Sequence, residues 1–262
     1  MISSIRVFPI LGTLSLATLG NVLLADAEDS KYVQDLQAEK VKLETQLSST
    51  PDDDESNLLY AGVLFFNLAE AVEFKNLLIS AGVSNSILDG TLNDLGEEYD
   101  FTLDTTFNAS ELVSYFGTTL IPQMKLIDAH LAKVGSTALV ILTQEQTGAD
   151  DEVSVDYADA LILRAMFKTL TAFFQMDHAY GFSLDTGKVK TLDDDELLTI
   201  ESLLDLNVDL GKVSSPTSLT EAKSNLKEAI ALYKEASPLL RDSTRRTQDR
   251  LFNLEWQDDL DD

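Results

Sequence analysis

The chain has 262 residues, 45 of them acidic against 19 basic, for a formal net charge of −26. Such a charge sets it against nucleic acid and anionic membrane surfaces. It has no cysteine and only two histidines, which excludes disulfides and thiolate metal centres and leaves little material for a nucleophilic triad.

The first element reads as an export signal. Arg6 gives a positive start, Val7 to Leu24 carries no charge, and Ala25-Asp26-Ala27 sets two small residues two apart. That is the spacing a signal peptidase accepts, and Glu28-Asp29 follows at once. The charge-free run is long enough to span a bilayer, but Pro9, Gly12 and Gly20 weaken it as a packed helix. Cleavage after Ala27 is expected. The product would be exported, periplasmic or extracellular, with no stable membrane insertion. A lipid anchor of the bacterial type would need a cysteine at the cut.

Next, Val33, Leu36, Lys40, Leu43 and Leu47 recur at steps of three and four, a stripe on a helix of about five turns. Ser48-Ser49-Thr50-Pro51 ends it. Asp52-Asp53-Asp54-Glu55 opens the next helix, because carboxylates suit the positive end of the helix dipole. That helix is expected from about Ser56 to Ser80 and is apolar on most sides, as a helix inside a bundle should be. Glu70, Glu73 and Lys75 argue against a membrane span. From Val83 to Phe107 the chain is acidic and turn-rich, with Asp89-Gly90 as a turn signal, and reads as a long loop with room for one short helix.

Asn108, with Glu111 three residues on, caps a third helix expected to reach about Val134, with Pro122 kinking or splitting it. "STALVILT" (Ser136 to Thr143) is β-branched and short, and Val153-Ser154-Val155 can pair with it across a turn at Gly148-Ala149-Asp150. Asp156 then caps the most apolar helix, Tyr157 to about Tyr180, whose cations Arg164 and Lys168 call for internal ion pairs. After Gly181 comes a polar connector, with a short helix from Asp193 to about Leu204. Ser218 and Glu221 form the capping box of a helix expected to run to about Ala236, with Pro238 beyond it. The tail carries Arg241, Arg245, Arg246 and Arg250, then Leu251, Phe252, Leu254 and Trp256, and ends in aspartates. It reads as an amphipathic helix docked on the acidic body, the alternative being that its arginines bind an anionic partner. The organisation is therefore a signal over 1–27, a helical domain over 28–240 and an amphipathic tail over 241–262. The fold class is mainly α, a bundle of packed α-hairpins with one small β-hairpin.

Two resemblances accompany this reading. "EAIALYKEASP" resembles the second helix of a tetratricopeptide repeat, with Ala229, Tyr233 and Ala236 at that motif's spacing. The pattern is degenerate: Pro238 falls three residues early and Pro216 stands where the motif has leucine. Helix–Pro51–Asp–helix has a similar layout, with Ala61 at the small-residue position. Second, "VDYADALILRAMFKTLTAFF" together with "LLYAGVLFFNLAE" is similar to a group of secreted, uncharacterised helical bacterial proteins. This likeness spans roughly Pro51 to Lys188. Both resemblances imply a helical fold and no particular activity.

For chemistry, His130 with Asp128 and His178 with Asp177 could form a transition-metal site only if their helix ends met. Neither helix carries the His-Glu-x-x-His spacing that sets ligands on one face. Asp205, Asn207 and Asp209 imitate the start of a calcium loop, but Leu210 and Pro216 stand where an EF-hand needs its glycine and its bidentate glutamate. The calcium candidates are therefore Asp150, Asp151, Glu152 and Asp156, whose carboxylates could bind the ion without a motif, against the plainer reading of a capped helix start. No nucleophile elbow and no phosphate-cradling glycine loop is present, so no catalytic residue and no cofactor is expected. The expected function is an exported, non-catalytic interaction or scaffold protein with a protein or peptide partner. The alternatives are an exported binder of calcium or a small ligand, and then a carboxylate-based hydrolase.

Overall fold

The computed structural model describes residues 36–69, 71, 73, 76–77, 109–144, 152–180, 212–241 and 251. The elements are α1 (Leu36–Ser49), α2 (Asp54–Ala69), α3 (Ala109–Tyr115), a π-helical segment (Phe116–Leu120), α4 (Ile121–Leu131), β1 (Leu139–Leu142), β2 (Val153–Asp156), α5 (Tyr157–Tyr180) and α6 (Pro216–Leu240). The protein is mainly α with one antiparallel hairpin, in which Leu139 faces Asp156 and Leu142 faces Val153. The expected signal, the loop over 83–107, the helix over 193–204 and nearly all of the tail lie outside the described residues. Among the described residues, no helix is long and apolar enough to cross a membrane.

Contacts divide the chain into two units. One draws on Leu23–Asn67, Gln123–Thr169 and Asn225–Asp262. Its core holds Leu43 of α1, Val63 and Phe65 of α2, Met124 and Ile127 of α4, Val140 and Val155 of the hairpin, and Leu161 and Phe167 of α5. Phe65 meets Phe167 edge to face, centroids 5.4 Å apart. Burying each such side chain is worth about 1.5–3 kcal/mol. Ala158, Leu161, Ala236 and Leu240 form a second seam where α5 meets α6. The other unit draws on Leu68–Pro122 and Leu170–Ser224 and centres on Phe116, Leu120 and Phe174.

The caps explain several boundaries. At α2, Asp53 accepts the Ser56 N–H (2.8 Å), and the Ser56 side chain together with this N–H holds its carboxyl below the usual carboxylate range. At α5, Asp156 Oδ1 accepts the Ala158 and Asp159 N–H groups, and Asp159 returns a carboxylate to the Asp156 N–H. This reciprocal box starts the helix where its sequence implies. At the far end of α5, Ser214 and Ser215 donate their N–H groups to the Ala179 carbonyl, satisfying an acceptor that the last turn leaves open.

Three boundaries differ from expectation. The second helix does not run unbroken to Ser80: Ala71 is non-helical and its N–H reaches the Leu68 carbonyl. The surrounding residues are good helix formers, so local propensity does not produce the break. At Pro122 the chain answers with a π turn rather than a sharp kink. The Ile121 N–H bonds the Phe116 carbonyl, five residues back, and the wider turn makes room where a proline ring crowds the carbonyl four residues before it. Finally, α6 starts at Pro216 instead of Ser218 and carries Pro238 inside it to Leu240. Proline suits a first helical position because its missing N–H has no intrahelical partner there. Glu221 is used elsewhere, bonding Gln175 of α5.

Candidate functional site

Of the calcium candidates, Asp150 and Asp151 lie outside the described residues, as do the expected cleavage residues Ala25 and Ala27. Glu152 is exposed, and one Asp156 oxygen is engaged by two backbone N–H groups at the start of α5. Among the described residues, no three acidic or histidine side chains converge as a metal-binding group.

The two histidines fall in different units. His130, near the end of α4, bonds Asn57 of α2 through Nδ1 at 2.8 Å. The Asn57 amide nitrogen donates to the Pro51 and Asp53 carbonyls, so its oxygen is the atom facing the ring. A carboxamide oxygen only accepts, hence the imidazole proton sits on Nδ1. Burial, together with the charge of Lys133, lowers the His130 pKa and keeps the ring neutral. Tyr60 stands edge-on to this ring at 4.7 Å and donates its hydroxyl to Glu44 at 2.8 Å. Burial and then Glu44 push that phenol up to about 12. The group Glu44–Tyr60–His130–Asn57 thus ties α1, α2 and α4 together.

Two residues before His130, Asp128 faces α5. It takes Arg164 Nε at 3.0 Å and Lys168 Nζ at 3.1 Å, and Lys168 also reaches Glu228 of α6 at 2.7 Å. Burial pulls the Lys168 pKa down, but the bonds to Glu228 and Asp128 outweigh it and leave it raised. These are the internal ion pairs that two cations on an apolar helix require.

In the other unit, the last turns of α5 bring two atoms without hydrogen-bond partners under cover: Asp177 Oδ2 and His178 Nδ1. Asp177 is 4% exposed, and burial pushes its carboxyl up to about 7. His178 presses on Gly117 of the π segment, where an added Cβ would lie 2.6 Å from the ring carbon Cε1. Only a glycine leaves that room. π turns recur at functional sites, and unsatisfied buried polar atoms are rare enough to call for an explanation.

The outer face of α6 is the remaining candidate. Toward α5 the helix buries Ala229, Ala236 and Leu240. Its acids point the same way: Glu228 takes Lys168 and Glu235 takes the Tyr157 hydroxyl. Away from the body it shows Lys227 and Lys234, with Arg241 directly after it, all three exposed. Ile230 and Tyr233, 56% and 50% exposed, lie beside them. Sequence reading took Tyr233 only as part of a repeat-like spacing. The signal available was the pair Lys227-Glu228 and Lys234-Glu235, seven residues apart, which gives opposite charges to neighbouring faces of one helix. The one tail residue described beyond Arg241, Leu251, donates its N–H to the Ser154 carbonyl of β2 at 3.4 Å.

No protein-family model matches the chain, and neither a curated protein nor a solved structure matches it.

Proposed function

We propose that the chain is a non-catalytic helical interaction protein that holds a protein or peptide partner. The outer face of α6 supports this. An isoleucine and a tyrosine are turned to water on a helix whose inner face is closed by small residues, and exposed aromatic and aliphatic anchors are what interfaces bury. The test is selection from a random displayed-peptide library on the whole protein and on Ile230→Gln/Tyr233→Gln. A peptide consensus that binds the first and not the second is the expected result. A selection without consensus, or one indifferent to the two changes, overturns the reading.

The same proposal includes export, supported by the pattern over residues 1–27 and the Ala25-x-Ala27 site. Sequencing the N-terminus of the protein recovered outside the cytoplasm should read Glu28 first. A mature chain starting at Met1 refutes it.

A second reading, an exported binder of a small polar ligand or of calcium, is favoured by the unpartnered Asp177 Oδ2 and His178 Nδ1. It calls for a melting-temperature rise in a screen of small polar compounds and millimolar calcium. The rise should be present in the natural chain and absent in Asp177→Asn. A screen without any such difference removes this reading.

A further inference from the structure

We propose that the outer face of α6 from Lys227 to Arg241 docks an acidic protein segment carrying apolar side chains. This rests on the interaction reading above and adds the chemistry of the partner.

The argument starts from spacing. Lys227, Lys234 and Arg241 are seven residues apart, two turns, so they rise along one face of the helix axis. Ile230 follows Lys227 by three and precedes Lys234 by four, which sets it between them on the same face. Tyr233 lies one turn further along, on the flank. In chain order the pattern is cation (Lys227), apolar side chain (Ile230), aromatic ring (Tyr233) and two further cations (Lys234, Arg241), all exposed.

Helix geometry keeps acids off this face. Glu228 and Glu235 directly follow the two lysines in sequence, which sets them about 100° round the axis. Both stay exposed on that neighbouring face, where Glu228 bonds Lys168 and Glu235 accepts the Tyr157 hydroxyl. On a chain of net −26, a face with three cations and no acid among its members is the place where an acidic segment meets attraction instead of repulsion.

The same charge argues for a segment over an extended surface. Charges further apart than about 8 Å are largely screened at physiological salt, so a short segment meets mainly the local cations. A bilayer or a nucleic-acid duplex would also set its large field against the rest of the acidic body. Ile230 and Tyr233 require that the segment bring apolar side chains of its own. The mode that fits is an amphipathic acidic helix or strand laid along α6.

The test measures fluorescence anisotropy on the full-length protein with three labelled synthetic peptides of about 18 residues, or five helical turns. All three carry the same leucines, with glutamate, glutamine or lysine at the polar positions. The glutamate peptide should bind, and binding should weaken by about tenfold in Lys227→Glu/Lys234→Glu. Ile230→Gln should also weaken it. The control Lys42→Glu/Lys125→Glu carries the same net charge and should bind as the natural chain does. The altered side chains of the first two variants are exposed, and an unchanged thermal melt confirms their fold.

Equal binding of the glutamate and glutamine peptides, or indifference to the lysine changes, overturns the acidic partner while leaving the interaction reading in place. Failure of all three peptides to bind overturns both. Self-association of the natural chain that Ile230→Gln abolishes, seen by sedimentation, would assign the face to a second copy and overturn the proposal. So would tighter binding to phosphatidylserine vesicles than to the glutamate peptide.

Discussion

Asp177 sits in a helix that buries it almost completely, and water no longer stabilises its charge. Its carboxyl titrates at about 7 against an ordinary 3.8. Between those two values the folded chain holds a proton that the unfolded chain has lost. Stability through this group therefore rises as pH falls through that window and is at its lowest above pH 7. Asp177→Asn, neutral at every pH, should unfold at higher urea than the natural chain at pH 8, by on the order of 2–4 kcal/mol. The gap should close near pH 4. Relief of general acidic repulsion acts on both chains and cancels in the comparison, so a gap independent of pH would refute the burial argument. Residues of this kind were unevenly legible. Arg164 and Lys168 announced their ion pairs because a cation on an apolar helix has few other ways to exist. Asp177 was legible only as a neighbour of His178, and its burial was not, since an aspartate near a helix end looks the same whether it faces water or the interior. Gly117 was equally silent: its need arises from His178, which is distant in sequence.

Elements whose ends are set by their own residues were readable. α5 begins where Asp156 and Asp159 can exchange backbone bonds and stops after Tyr180, next to Gly181. α6 was misread at its start because Ser218-x-x-Glu221 imitates a capping box, while Ser215-Pro216 offers the chain an earlier start and α5 claims Glu221. The π segment could not be seen in advance, since apolar spacing does not distinguish a kink at Pro122 from one wide turn before it. A π turn amounts to one residue inserted into an α-helix. Deleting Thr119 should therefore let residues 109–131 run as regular α-helix with both flanking faces preserved. That variant should remain folded by circular dichroism and melt cooperatively. Deleting Ala165 from the middle of α5 rotates every later side chain by about 100° and should abolish the cooperative melt. If both deletions unfold the protein equally, the inserted-residue account is wrong.

At the scale of the molecule, contacts divide the chain into two units. What composition could state outright was the charge. A surplus of 26 negative charges opposes compaction at long range. Adding sodium chloride from about 20 mM to 300 mM shortens the reach of that repulsion severalfold and should raise the melting temperature by a few degrees. A melting temperature unchanged by salt would mean that local pairing already balances the surface. Some acids are exempt from this repulsion because they are seated on cations, and Glu228 of α6 is one. Rolled by half a turn about its axis, α6 would lower Lys227 and Lys234 toward Arg164 and Lys168 and lift its alanine seam into water. Like charge and lost burial both reject that arrangement, so the assembling chain is left with a single azimuth for α6.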